Sequence, residues 1–288
     1  MSRTNRREIR GSFPRVRTAA PNFRFVGHGT TDVGLRREAN EDSYLMLAKN
    51  HLWIVADGMG GHAGGQVASA LTVEHIGRTV VRSVHEAELR QRRESIEVDP
   101  KRILETCIQS ACAEVFAEAR RRPELAGMGS TVTVLWAYGE NVYIGQVGDS
   151  RAYLYRNSQL SQITEDHSLV QEQLSAGLIT EEQARYSMVR NIITRSIGFE
   201  SEVEVDLFVV PARVGDQFVL CSDGISNLVE DHEMQDLLAV TERRKLPATL
   251  IELANRRGGD DNSTVVLVTA VGGRRKKSRS KASMGETK

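Results

Sequence analysis

The chain has 288 residues, 40% hydrophobic and 26% charged, with a formal net charge of zero, the profile of an ordinary globular protein long enough to bury a substantial core. Cys107, Cys112 and Cys221 are widely placed and form no C-x-x-C pair, which speaks against a disulfide framework or a zinc site and for a reducing, cytoplasmic setting. No apolar run reaches about 18 residues, and the N-terminus lacks the apolar core of a signal peptide, so neither a membrane span nor secretion is expected.

The zero net charge hides a segregation. Residues 1–24 carry seven arginines against Glu8 alone, and residues 274–288 carry seven lysines and arginines against Glu286; the remaining body holds 24 basic and 36 acidic residues. The expected organisation is one acidic domain over 23–271 between two basic extensions, 1–22 and 272–288. Neither extension has apolar periodicity, and both read as disordered. Such extensions suit contact with acidic partners or other polyanions, although no clear nucleic-acid site is present.

Within the body, apolar runs predict strands at 23–27, 44–47 and 52–56, then a helix over about 66–81. The polar stretch 82–100 reads as a helix end and a connection. An amphipathic helix over 103–121 stops before Pro123. Four β-rich runs follow, "STVTVLWAY", "NVYIGQVGD", "RAYLYR" and "QLSQIT", at the spacing of antiparallel hairpins. A helical stretch at about 168–186, strands at 204–209 and 217–221, short helices at 233–239 and 247–256, and a strand at 263–269 complete the chain. Hairpins dominate, which favours an α+β fold of antiparallel sheets flanked by helices over a doubly wound parallel sheet.

The segment "WIVADGMGGHAGGQVASAL" poses a choice of ligand. Gly58, Gly60 and Ala63 fit the dinucleotide fingerprint. Asp57 would, however, set a carboxylate beside a pyrophosphate, and no acidic strand end follows about 20 residues on. No Gly-Lys-Ser/Thr supports a P-loop either. Other carboxylates fall at similar places: Asp149 ends "YIGQVGD", Asp223 ends "FVLCSD", Asp261 precedes "NSTVVLV", and Glu41 and Asp42 open "SYLML". Each alone reads as a turn or cap residue. If they converge, several charges at apolar strand ends call for a cation. An all-oxygen site of this kind suits Mg²⁺ or Mn²⁺.

Five segments in order, "TDVGLRREANEDS", "VADGMGGHAGG", "GMGSTVTV" with "GQVGDSRAYL", "FVLCSDGISNLV" and "GGDDNSTVVLV", resemble the metal-dependent protein serine/threonine phosphatases of type 2C, in their bacterial branch. The resemblance spans 31–271 and extends to a flap segment at about 165–200. It implies a four-layer αββα sandwich with two metal ions at one end and a monomeric enzyme. It assigns Asp57 as the bridging ligand, the Gly58 carbonyl to the first ion, and Asp223 and Asp261 to the second. Glu41 and Asp42 would act through bound water, Asp149 would serve a third, weaker ion, and Arg37 would bind the substrate phosphate. The implied reaction is single-step hydrolysis of phosphoserine or phosphothreonine in proteins, opposing a Hanks-type serine/threonine kinase. The alternative is a catalytically weak 2C-like regulatory or binding module.

The chain departs from the family pattern in two places. Met59 stands where many eukaryotic members have a histidine, and the role of acid is not transferred to His62. The flap carries "ARYSMVRN" where bacterial members usually have His-Pro. His167 reads as a structural residue at the start of the flap, and the cysteines as inert.

Overall fold

Hydrophobic period and chain punctuation set the elements seen in the computed structural model, which describes residues 23–60, 64–185, 187–189 and 191–272. Strands β1 (Phe23–Asp32), β2 (Ser43–Leu47), β3 (Leu52–Ala56) and the short β4 (Gly58–Met59) lead to helices α1 (Gly64–Glu94) and α2 (Pro100–Arg121). Strands β5 (Gly129–Ser130), β6 (Val132–Tyr138), β7 (Asn141–Val147), β8 (Arg151–Arg156) and β9 (Gln159–Gln162) precede the flap helices α3 (Leu169–Ser175) and α4 (Glu181–Arg185). The chain continues through β10 (Asp206–Pro211), β11 (Gln217–Cys221), α5 (Asp223–Ser226), α6 (Asp231–Val240), α7 (Leu246–Arg256) and β12 (Ser263–Gly272).

Ten of these strands form two antiparallel five-stranded sheets, ordered β1-β12-β11-β8-β9 and β10-β7-β6-β3-β2. The α+β sandwich expected from the sequence is the fold. Period-two alternation divides its core into three layers. Trp53 and Val55 of β3 face Phe218, Leu220, Val266 and Val268 between the sheets. Leu52, Ile54 and Ala56 of the same strand face Ile76, Val80, Leu104 and Ile108 of α1 and α2. On the opposite side, Val265 and Leu267 of β12 pack beneath Leu238, Leu250 and Ala254 of α6 and α7. Helices therefore cover both outer faces.

Helix α2 shows the local logic. Asp99 caps it by accepting the Arg102 N–H at 3.1 Å, and Pro100 opens its first turn. Leu104, Ile108, Ala111 and Val115 then recur on one face, fully buried.

Several boundaries differ from expectation. Helix α1 runs on to Glu94, well past residue 81, because "HEAELRQRRE" consists of good helix formers with no Gly or Pro to stop it, although the apolar stripe has ended. The single flap helix is two, separated by Gly177 at φ +69°. Strand β10 begins two residues later than the run at 204–209 suggests, and Gly272, placed in the C-terminal extension, is the last residue of β12. The runs at β7 and β8 are not a hairpin: β7 lies in one sheet and β8 in the other. Residues 1–22 and 273–288, and His62, lie outside the described residues.

Candidate active site

Antiparallel pairing brings the carboxylate-bearing strand ends to one end of the sandwich. Ser43 pairs with Ala56, Val132 with Val147, Cys221 with Val265 and Asp32 with Ser263. The residues just beyond these pairs are Asp42, Asp57, Asp149, Asp223 and Asp261. Burial first, and then the charges of the other four, raise the Asp57 carboxyl well above the usual range. The structure thus gathers carboxylates scattered over some two hundred residues of sequence.

Each carboxylate is held by its own local device. The Asp57 backbone N–H donates to Thr131 Oγ1 at 3.0 Å, and its carbonyl accepts from Thr131 N at 2.8 Å and Ser130 Oγ at 2.9 Å. Asp149 occupies the turn by which the chain changes sheets. Gly148 there has φ +100°, and a Cβ on it would lie 2.6 Å from the Thr131 side chain, so glycine is required. Asp223 is not a strand residue but opens α5, directly after β11. Gly224 lets this turn press on the start of β12, since a Cβ would stand 2.0 Å from Asn262 O.

Gly58 is likewise a packing requirement. A Cβ would lie 2.1 Å from Gly65 O and 2.7 Å from Glu41 O, so the β3 exit, the first turn of α1 and the Glu41 backbone touch through the missing side chain.

Asp42 is buried and ties the sheets together at this end. Its Oδ2 accepts from Ser222 Oγ at 2.7 Å and Thr264 Oγ1 at 2.6 Å. Because the Thr264 proton goes to Asp42, Thr31 Oγ1 donates to Thr264 at 2.7 Å, and Asn40 Nδ2 in turn donates to Thr31 at 2.8 Å. Burial, Asp223 and Asp261 raise Asp42 to about 7 against the pull of the two hydroxyls. Asp149 rises to about 8, through burial first and then Asp223 and Asp166. Burial and Asp261 raise Asp223, with the adjoining Asp57 carboxyl and Arg37 offsetting part of the shift. Glu41 also moves up, through burial, with Arg37 opposing.

Arg37 faces this cluster. Its Nη2 donates to Asp261 Oδ2 at 2.7 Å, and Asp261, Glu41 and Asp57 together hold it charged against the effect of burial. Asn262, to which the sequence reading gave no role, positions it. Buried Asn262 accepts the Glu41 N–H at 2.7 Å and donates to Val33 O at 2.9 Å and Ala39 O at 3.0 Å. One amide side chain thereby folds the loop that carries Arg37. Asn262, Ser222 and Thr264 look like ordinary strand-end residues in sequence. Only the adjacency of Asn262 to Asp261 hinted at such a role.

The flap is anchored next to Asp149. Gly148 N–H donates to His167 Nδ1 at 3.1 Å, and the other ring nitrogen lies 3.2 Å from Asp206 Oδ2. Burial lowers the His167 pKa, so the ring is neutral and structural, as its sequence context suggested. Arg151, beside it, forks onto Asp166 at 2.7–3.1 Å. Between the flap and α6 runs an open groove of about 680 Å³, lined by Leu174, Glu181, Glu230 and Asp231 and reaching Asp149 and Asp223. The three cysteines are buried and unbridged, and burial raises Cys221 to about 12, which makes it unreactive.

The donor set fits hard divalent cations. Asp42 Oδ1 and Asp223 Oδ1 are buried without a hydrogen-bond partner, an expense that a cation or its water would remove. Among the described residues no three His, Cys, Asp or Glu side chains close into a cage of their own.

A carboxylate cluster facing one arginine at the end of an αββα sandwich suits a hydrolase class that works on phosphate esters through metal ions. Comparison with known proteins gives the family: residues 35–257 match the family profile for protein phosphatase 2C, and the chain belongs to that family. It is 40% identical over 211 residues to the serine/threonine phosphatase stp of Listeria innocua, covering 72% of this chain and 81% of that one. To the serine/threonine protein phosphatase PstP of Mycobacterium tuberculosis it is 37% identical, over 79% of this chain and 41% of that protein. A solved structure of the PstP catalytic domain in complex with two manganese ions superposes with a TM-score of 0.73 at 35% identity, covering 86% of this chain and 99% of that one. This chain is a serine/threonine protein phosphatase of the 2C type.

Proposed function

We propose that the carboxylate cluster holds two Mn²⁺ or Mg²⁺ ions for direct hydrolysis of phosphoserine and phosphothreonine. Asp57 is read as the shared ligand, with the Gly58 carbonyl on the first ion and Asp223 and Asp261 on the second. Glu41 and Asp42 reach the ions through water, and Asp149 serves a weaker third position. When bound, such ions neutralise the phosphoryl group and acidify the attacking water.

The chain's own residues perform the remaining tasks. The Arg37 guanidinium fork matches two phosphate oxygens and brings positive charge to a place whose other groups would repel the substrate. Thr131 and Ser130 fix the Asp57 backbone, so the shared ligand needs little reorganisation. Asn262 holds the Arg37 loop, and Asp42, with one oxygen engaged by hydroxyls, has the other free to orient water. Met59 follows Gly58, and the leaving alcohol is protonated by water in this reading.

The observation that carries the proposal is the pair of buried, unpartnered oxygens, Asp42 Oδ1 and Asp223 Oδ1, in a cluster where burial raises the Asp42, Asp57, Asp149 and Asp223 carboxyls. The test is phosphate release from a phosphothreonine peptide, abolished by EDTA and restored by Mn²⁺. Release undiminished in EDTA would overturn it. Hydrolysis of this kind undoes the transfer of phosphate to protein hydroxyls, so a serine/threonine kinase, of Hanks type by family resemblance, supplies the substrates. No described helix is long and apolar enough to cross a membrane; a monomeric cytoplasmic enzyme is our reading of the chain. The basic extensions are read as contacts for acidic partners.

A further inference from the structure

Two residues with separate tasks in the proposed mechanism engage each other. Asp261, read as a ligand of the second ion, has both oxygens occupied: Oδ2 accepts Arg37 Nη2 at 2.7 Å and Oδ1 accepts the Asn262 N–H at 2.8 Å. Arg37, read as the phosphate fork, directs Nη2 to this carboxylate. The pair is only partly shielded, with side-chain exposures of 50% and 34%. The loop bearing Arg37 is fixed by Asn262 and by the Leu35 N–H to Gly259 O at 2.8 Å. The guanidinium can therefore leave Asp261 by side-chain rotation with the loop backbone in place.

We infer that the Arg37–Asp261 ion pair is a latch that couples cation binding to phosphate binding. The inference rests on the ligand roles proposed above. A cation entering at Asp261 competes with the guanidinium for the same carboxylate, so Arg37 weakens cation binding while the phosphate site is empty. Displaced from Asp261, the guanidinium is free for a phosphate oxygen, and phosphate that holds it there removes the competitor. By linkage each ligand then favours the other. The neighbouring Arg36 provides an internal comparison. It carries the same charge one residue away but lies 3.8 Å from Asp260, with both side chains more than 70% exposed.

The test is calorimetric titration of the full chain with Mn²⁺ in phosphate-free buffer, for the wild type, Arg37→Ala and Arg36→Ala. Arg37→Ala is expected to bind Mn²⁺ about two- to fivefold more tightly at the site that includes Asp261, the effect of an exposed ion pair, and to bind inorganic phosphate more weakly. Arg36→Ala should match the wild type in both. Guanidinium NMR of the wild type gives a second readout: the Arg37 Nη signals should lose their restricted, paired character as Mg²⁺ is added. Unchanged or weaker Mn²⁺ binding by Arg37→Ala, or an equal gain in Arg36→Ala, overturns the latch, as does an Arg37 signal indifferent to Mg²⁺. A wild type that binds no Mn²⁺ overturns the ligand assignment itself and the latch with it.

Discussion

Thr264 Oγ1, on β12 of one sheet, lies 2.6 Å from Asp42 Oδ2, at the head of β2 in the other. The bond makes the stability of the sandwich depend on the protonation of its carboxylate end. Thr264→Val keeps the volume and removes the donor. In EDTA at pH 8 the loss is expected to be about 1.5–3 kcal/mol, the value of a hydrogen bond to a charged group. At pH 5 Asp42, with its pKa near 7, is neutral and the loss should be smaller. Urea unfolding at the two pH values measures the difference.

Without metal, the cluster should make the protein less stable as pH rises. Asp42 and Asp149 titrate near 7 and 8 when folded, against 3.8 as free side chains. Below pH 4 both states hold these protons. Between about 4 and 8 the unfolded chain releases them while the folded chain retains them, so folding stability falls across that window. Mn²⁺ should reverse the trend, because it favours the ionised carboxylates. Thermal unfolding in EDTA and in Mn²⁺ from pH 5 to 8 checks this, and Asp149→Asn should flatten the EDTA curve.

Asn262→Ala should lower substrate affinity without removing a ligand. The change leaves the Glu41 N–H and the Val33 and Ala39 carbonyls without partners, at a cost of about 1–3 kcal/mol for each one that water does not reach. It also frees the loop that carries Arg37. In steady-state kinetics KM should rise more than kcat falls, and Mn²⁺ should still bind.

Gly224→Ala should displace Asp223 from Asp261. The new Cβ would stand 2.0 Å from Asn262 O, a backbone atom that can move only with β12. A loss of about 1–3 kcal/mol from overpacking should accompany weakened Mn²⁺ binding in calorimetry. Gly139→Ala, where a Cβ meets nothing within 4 Å but φ is +63°, should cost stability through backbone strain alone and leave Mn²⁺ binding intact.

Much of this site is legible in sequence because the aspartates end or precede apolar runs, where a charge is conspicuous. Their convergence is not, since it arises from pairings such as Cys221 with Val265 that connect distant segments. The family motifs supplied that step. Ser222, Thr264 and Asn262 stayed hidden because hydroxyls and amides are unremarkable at strand ends, and their function appears only when the second sheet is in place. The change of sheet at Gly148–Ser150 is not legible in sequence, because the spacing of its flanking runs is that of a tight turn. The apolar stripe does not mark the end of α1, because propensity carries the helix past the point where the stripe stops.

The central claim is that Asp57 is shared by the catalytic ions. Its most direct test is Mn²⁺ calorimetry on Asp57→Asn paired with phosphate release from a phosphothreonine peptide. The account predicts a folded protein in which the tight Mn²⁺ binding is lost and turnover falls to background at every Mn²⁺ concentration. Wild-type Mn²⁺ stoichiometry and turnover in Asp57→Asn would contradict it.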